Sequence, residues 1–223
     1  MNLSKEEFET LQKEYDELKD KNDVSISFFN YCFLHIGFSL AVFIIPTNIL
    51  TIFPFLKCFT SFMSQYFPNI EIYANANKMP ELVEFYFSYL WVVCIILSVW
   101  YIYKMASIAR GVKAYFGVGE FSNKRIFNEK FIPVLDKQYG NSKGLLMVLL
   151  NILFFGFGLY LDFSGNILDS MLGRWMFDRF GIFLMGAYQI IVVFGLFVMP
   201  YYIAIMSINY NKFKNKLKFN TKE

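Results

Sequence analysis

Charged residues leave four long gaps in this chain, and the gaps set its architecture. No Asp, Glu, Lys or Arg lies between Asp23 and Lys57, from Phe85 to Tyr103, from Gly144 to Leu161, or from Phe180 to Asn211. Each gap is at or beyond the roughly 18 apolar residues at which a membrane-spanning helix is the default reading. The pattern predicts an all-α integral membrane protein with four transmembrane helices, over residues 25–45, 82–103, 144–161 and 180–208, arranged as two hairpins. Pro46 stops the first span. Pro200 lies inside the fourth, which is long enough to tilt, kink or protrude.

Ahead of the first gap, residues 1–24 read as a short amphipathic helix. Ser4 and Glu7 are spaced as a capping box, with Leu3 and Phe8 at the flanking staple positions. Phe8, Leu11, Tyr15 and Leu18 then recur at three- and four-residue intervals and form one narrow apolar seam. Lys5/Glu9, Glu9/Lys13 and Glu17/Lys21 supply charge pairs around it. Barely two heptads are too few for a coiled coil, so the seam is expected to dock on the protein's own cytosolic loop, on a sister subunit or on a cytosolic protein partner. This mixed-charge lead is unlike a cleavable signal peptide, and the first span is expected to stay in the mature protein.

Residues 46–81 join the first two spans and hold an ambiguous stretch at 49–67. Ile52, Phe55, Leu56, Phe59, Phe62, Met63 and Tyr66 recur at helical spacing opposite Lys57, Ser61, Ser64 and Gln65. A two-faced helix of this kind lies at the bilayer interface or packs over the bundle. A re-entrant or spanning segment is the alternative.

Composition agrees with the gaps: 56% of residues are hydrophobic and 17% charged, against about 45–50% and about 25% in soluble domains. Seventeen of the 21 basic residues fall in residues 1–24, 104–143 and 209–223, and the other four are Lys57, Lys78, Arg174 and Arg179. By the positive-inside rule, both termini and the 104–143 loop are cytoplasmic, while residues 46–81 and 162–179 are outside. The expected location is the cytoplasmic (inner) membrane, crossed several times. Cys32, Cys58 and Cys94 are odd in number and two lie in spans, so neither a disulfide framework nor a paired-cysteine metal motif is expected.

Asn30 and His35 on the first span, Asn151 on the third and Gln189 on the fourth are the polar groups within the spans singled out here. Such groups normally face the bundle, because an unsatisfied polar atom in hydrocarbon costs several kcal/mol. His35 has no intramembrane carboxylate partner and reads as a hydrogen-bonding group between helices. Gly37 and Ala41, with Gly181, Gly186 and Gly195, permit close backbone approach and suggest a homo-oligomer meeting through spans one and four. In the 104–143 loop, Lys104, Arg110, Lys113, Lys124, Arg125 and Lys130 are interleaved with aromatics, as expected of a segment resting on the anionic inner leaflet. Base stacking is the weaker reading of that pattern, and direct nucleic-acid contact is not expected. Asp162, Asp169, Arg174, Asp178 and Arg179 read as a solvated, salt-bridged outer turn.

No paired intramembrane carboxylate, activated serine, phosphate-cradling glycine loop or two-histidine motif is present, so no catalytic, cofactor or metal site is expected. In layout the chain is similar to small bacterial membrane proteins of colicin immunity, plasmid entry exclusion and phage defence. That resemblance covers architecture alone. The expected function is a non-enzymatic membrane subunit that self-associates and recruits a cytosolic partner. The alternative is a subunit of an oligomeric ion channel or small-solute transporter, against which stands the lack of an evident internal repeat.

Overall fold

The computed structural model describes residues 4–21, 33–34, 36–117 and 126–220. Most of the first apolar stretch, residues 25–32 with Asn30 and Cys32, lies outside them, as do Leu3, His35, Gly119, Lys124 and Arg125. All regular structure among the described residues is helical. Helix α1 covers Lys5–Lys21; α2, α3 and α4 cover Ile49–Ile52, Leu56–Tyr66 and Asn69–Asn75; α5 covers Pro80–Phe116. Beyond these, α6 covers Ile132–Tyr139, α7 Asn141–Phe163, α8 Met171–Arg174 and α9 Arg179–Asn220. Three of the helices, α5, α7 and α9, are long and apolar enough to cross a membrane. The described end of the first apolar stretch is helical over 36–39 and tightens to a 3-10 turn at Leu40–Phe43.

The long helices have identifiable ends. Pro80 opens α5, where the missing N–H costs nothing, and both the backbone N–H and the hydroxyl of Thr51 donate to Glu81 in its first turn. Gly117, at φ +59, follows its last residue in the left-handed conformation that closes a helix. Asp178 caps α9 by accepting from the Gly181 N–H at 2.8 Å. The helix then runs through Pro200 to Asn220. Both α5 and α9 outrun the apolar windows that identify them, and their extra turns are amphipathic. In those turns Val112, Tyr115 and Phe116, with Tyr210 and Phe213, are buried while Arg110, Lys113 and Lys212 are exposed.

The chain divides into two compact units. The described parts of 1–27, 101–152 and 198–223 form one, and those of 28–100 and 153–197 the other. In the first, α1 begins with a formed capping box: the Ser4 N–H donates to Glu7 at 2.8 Å and the Glu7 N–H to the Ser4 hydroxyl at 3.2 Å. These hydrogen bonds hold the Glu7 carboxyl below its ordinary range. The seam of α1 lies on residues 127–139 of the same chain. Tyr15, fully buried, stacks on Phe127 at 4.9 Å and tilts against Phe131 at 6.1 Å. Burial, then the neighbouring Tyr139, pushes its phenol above the usual tyrosine range. Lys130 pairs with Glu14, and Lys137 sits over the Phe8 ring at 4.6 Å. The tail of α9 is tied in by Lys214, 2.6 Å from Asp136, and by the Ser207 hydroxyl, which donates to the Tyr139 carbonyl at 3.3 Å.

In the second unit, a core of Ile70, Tyr73, Leu82, Tyr86, Phe87, Leu90, Trp91, Ile182, Met185, Ile190 and Val193 joins α4, α5 and α9. Gly186 lets α9 approach α5: a Cβ there would stand 2.3 Å from the Tyr86 hydroxyl and 2.7 Å from Leu90. A Cβ at Gly195 would stand 2.3 Å from the Phe155 ring of α7. The most apolar stretch of α7 is only 6% buried, against 56% for those of α5 and α9. One side of this helix, with Leu145, Leu149, Ile152, Leu153 and Phe157, is therefore bare, and a bilayer is the solvent in which a bare row of Leu, Ile and Phe carries no penalty.

The 49–67 segment differs from the expected single two-faced helix. It is broken into α2 and α3; within α3 Met63 is buried and Lys57, Ser61 and Gln65 are exposed as expected, but Thr60 is fully buried while Phe62 and Tyr66 are exposed. The reason is polar: the Thr60 hydroxyl donates to Glu84 of α5 at 2.5 Å, which turns that face inward.

Candidate functional site

The most concentrated polar chemistry inside the second unit is centred on Asp162, in the last turn of α7. Helix α4 presents Asn69 and Tyr73 on one face, four residues apart. The Tyr73 hydroxyl donates to the Asp162 carboxylate at 2.7 Å and lies 2.9 Å from its carbonyl oxygen. The Asn69 amide donates to the other carboxylate oxygen at 3.3 Å, and its own side-chain carbonyl accepts from the Trp91 indole N–H of α5 at 3.2 Å. Asp162, Asn69 and Tyr73 all have zero exposure, and Trp91 is buried. Four side chains from three helices thus close one chain of hydrogen bonds.

What this arrangement can do follows from what it lacks. No basic side chain pairs with Asp162 among the described residues, so its charge is met by two neutral donors alone. A carboxylate removed from water at the end of an apolar helix is a costly feature, and in membrane proteins such residues mark function by default. The site can hold a proton or a negative charge and can fasten α4 to α5 and α7. Among the described residues, no three His, Cys, Asp or Glu side chains converge as metal ligands.

The sequence-selected residues are distributed differently. Gln189 is fully buried with neither amide atom hydrogen-bonded, whereas Asn151 is half-buried and donates to the Met147 carbonyl of its own helix at 2.9 Å. Asn30 and His35 lie outside the described residues. Of the small residues, Gly181, Gly186 and Gly195 are buried against neighbours in the same chain, and Ala41 is half-buried. Gly37 alone of this set is exposed with open space at its missing Cβ. Of the seam, Tyr15 is engaged within the chain as described, and Phe8, Leu11 and Leu18 are half-buried. Lys104, Arg110, Lys113 and Lys130 are exposed. Lys124 and Arg125 fall outside the described residues.

The turn between α7 and α9 is not the solvated ion-pair cluster expected of it. Asp162 is buried in the network above, Asp178 is a helix cap, and Arg179 donates to the Val42 carbonyl. Asp169 and Arg174 are exposed, and no ion pair joins these five among the described residues. Asn69 and Tyr73 were not singled out from sequence. The one signal for them is local, since Ile70, Tyr73 and Ala74 mark a short buried helical face. Comparison with protein-family models, with curated proteins and with solved structures finds no match for the chain.

Proposed function

We propose that this chain is a non-enzymatic subunit of a cytoplasmic membrane, crossing it four times with both ends inside, and acting through protein–protein contacts. The observation that carries the reading is the folded module built from α1, residues 126–139 and the tail of α9. Residues that could have remained solvated tails are fixed by buried aromatic stacking and opposite-charge pairs, and a fixed surface can be recognised at low entropic cost. The exposed side of α1, with Lys13 and Glu17, is then what a cytosolic partner meets. Self-association is assigned to the exposed face around Gly37, the small residue that no neighbour among the described residues occupies. The layout similar to immunity, entry-exclusion and phage-defence proteins agrees with such a role.

A channel or transporter subunit is the second reading, and the observation favouring it is the buried Asp162 network together with the unpaired amide of Gln189. Purification from crosslinked native membranes separates the two. The first reading expects a stoichiometric soluble partner, lost from a charge-exchanged Lys13→Glu, Glu17→Lys variant, and a ladder of self-crosslinked species shortened by Gly37→Leu. Ion conductance in liposomes by the purified chain, with no partner retained, would favour the second.

A further inference from the structure

We propose that the first unit holds one anionic phospholipid in a discrete cleft beside α1, with its phosphate at Lys137 and an acyl chain along Met147 and Ile203. The inference rests on the reading that α7 and α9 lie in a bilayer. The cleft has a volume of about 580 Å³ and is lined by Gln12, Lys137, Gln138, Tyr139, Met147 and Ile203. A second cleft of about 530 Å³, lined by Ser4, Lys5, Phe8, Glu9, Gln12 and Lys137, shares Gln12 and Lys137 with it.

The lining sorts by chemistry along the helices. Lys137 is the one charged side chain of the first cleft. It rests on the face of the Phe8 ring, and no carboxylate pairs with it among the described residues. The nearest acid in the adjoining cleft, Glu9, lies 3.8 Å from Lys5 and is already partnered. Gln138 adds an amide donor suited to phosphate oxygens, whereas the Gln12 amide donates to the Asp16 carboxylate at 3.1 Å. Lys143, exposed, precedes Met147 by one turn of α7 and so shares its side of the helix.

From Gly144 onwards α7 carries no charge as far as Leu161, and Leu145, Leu146, Met147, Leu149 and Leu150 are exposed. The polar end of the cleft therefore stands where a headgroup lies and the apolar end where an acyl chain begins. A free phosphate ion would satisfy only the lysine and leave Met147 and Ile203 bare. A zwitterionic lipid would bring a cationic group towards Lys137 and Lys143. An anionic phospholipid satisfies both ends, and each lysine near a phosphate is worth about fivefold in binding.

The test uses the full chain extracted from membranes and incubated with equal amounts of phosphatidylglycerol and phosphatidylcholine, with retained lipid read by native mass spectrometry. The expected result is one phosphatidylglycerol held in preference by about tenfold. Lys137→Ala should cut that preference about fivefold, Lys137→Arg should keep it, and Met147→Trp, which fills the apolar end, should lower retention of both lipids. Equal retention of the two lipids by the wild type would overturn the proposal. So would an unchanged preference in Lys137→Ala, or displacement of the lipid by millimolar inorganic phosphate alone. Carbonate extraction of the same membranes keeps the two readings apart. Release of the chain into the supernatant defeats the membrane reading itself, whereas a membrane-bound chain without lipid preference defeats only this site.

Discussion

Replacing Tyr15 with alanine is expected to release α1 from the loop beneath it while leaving the three long helices in place. The ring is fully buried between Phe127 and Phe131, and truncating a buried aromatic to alanine costs about 3–5 kcal/mol. A 17-residue polar helix has little stability of its own without a packed face, so the loss falls on docking. Amide exchange over 5–21 and 127–139 should accelerate by about a hundredfold or more, with α7 unchanged. Leu11→Ala, at a half-buried seam position, should have a smaller effect in the same direction. Unchanged protection in Tyr15→Ala would mean that the stacking contributes nothing to holding α1.

A second large effect is expected at Asp162. Alanine there leaves the Asn69 amide without its carboxylate acceptor and the Tyr73 hydroxyl with only the backbone carbonyl of residue 162, and a buried unsatisfied group costs about 1–3 kcal/mol. The melting temperature in detergent should fall accordingly, and Asp162→Asn, which keeps one acceptor oxygen, should fall less. The sign of coupling makes the argument specific. Because removing both partners is far cheaper than removing one, Asp162→Ala combined with Tyr73→Phe should be less destabilised than the two single effects added. Strict additivity would show that the 2.7 Å contact does not link these residues energetically.

How much of this was legible in the sequence depends on the range of the interaction involved. The capping box of Ser4 and Glu7 and the candidate spans over α5, α7 and α9 were legible because they are local: three-residue spacing in one case, uninterrupted apolar runs in the other. The continuation of α5 through Lys104, Arg110 and Lys113 to a break at Gly117 was legible as well, whereas the end of α9 was not, since hydropathy stops at the first lysine while an amphipathic helix continues on buried Tyr210 and Phe213. The seam of α1 was visible as a pattern, but its occupant was not. That Phe127 and Phe131 complete it depends on contacts more than a hundred residues away in sequence.

Asp162 shows the limit most clearly. Beside Ser164, Gly165 and Asp169 it reads as part of a wet turn, and its donors lie 89 and 93 residues earlier in the chain. A short helix such as α4, with seven residues, carries too little periodicity to announce that it delivers both of them. Thr60 was not singled out for a related reason, because a hydroxyl at an inward position becomes favourable only once Glu84 is opposite.

The central claim is a chain threaded through the membrane an even number of times with its folded module on the cytoplasmic side. Reporter fusions at four positions test it most directly, with alkaline phosphatase or a cytosolic fluorescent protein joined near Met1, Lys78, Arg174 and Glu223. The account predicts phosphatase activity at Lys78 and Arg174 and fluorescence at both termini. An active phosphatase at Glu223 would require an odd number of spans and place the tail of α9 on the opposite side from α1, which contradicts it.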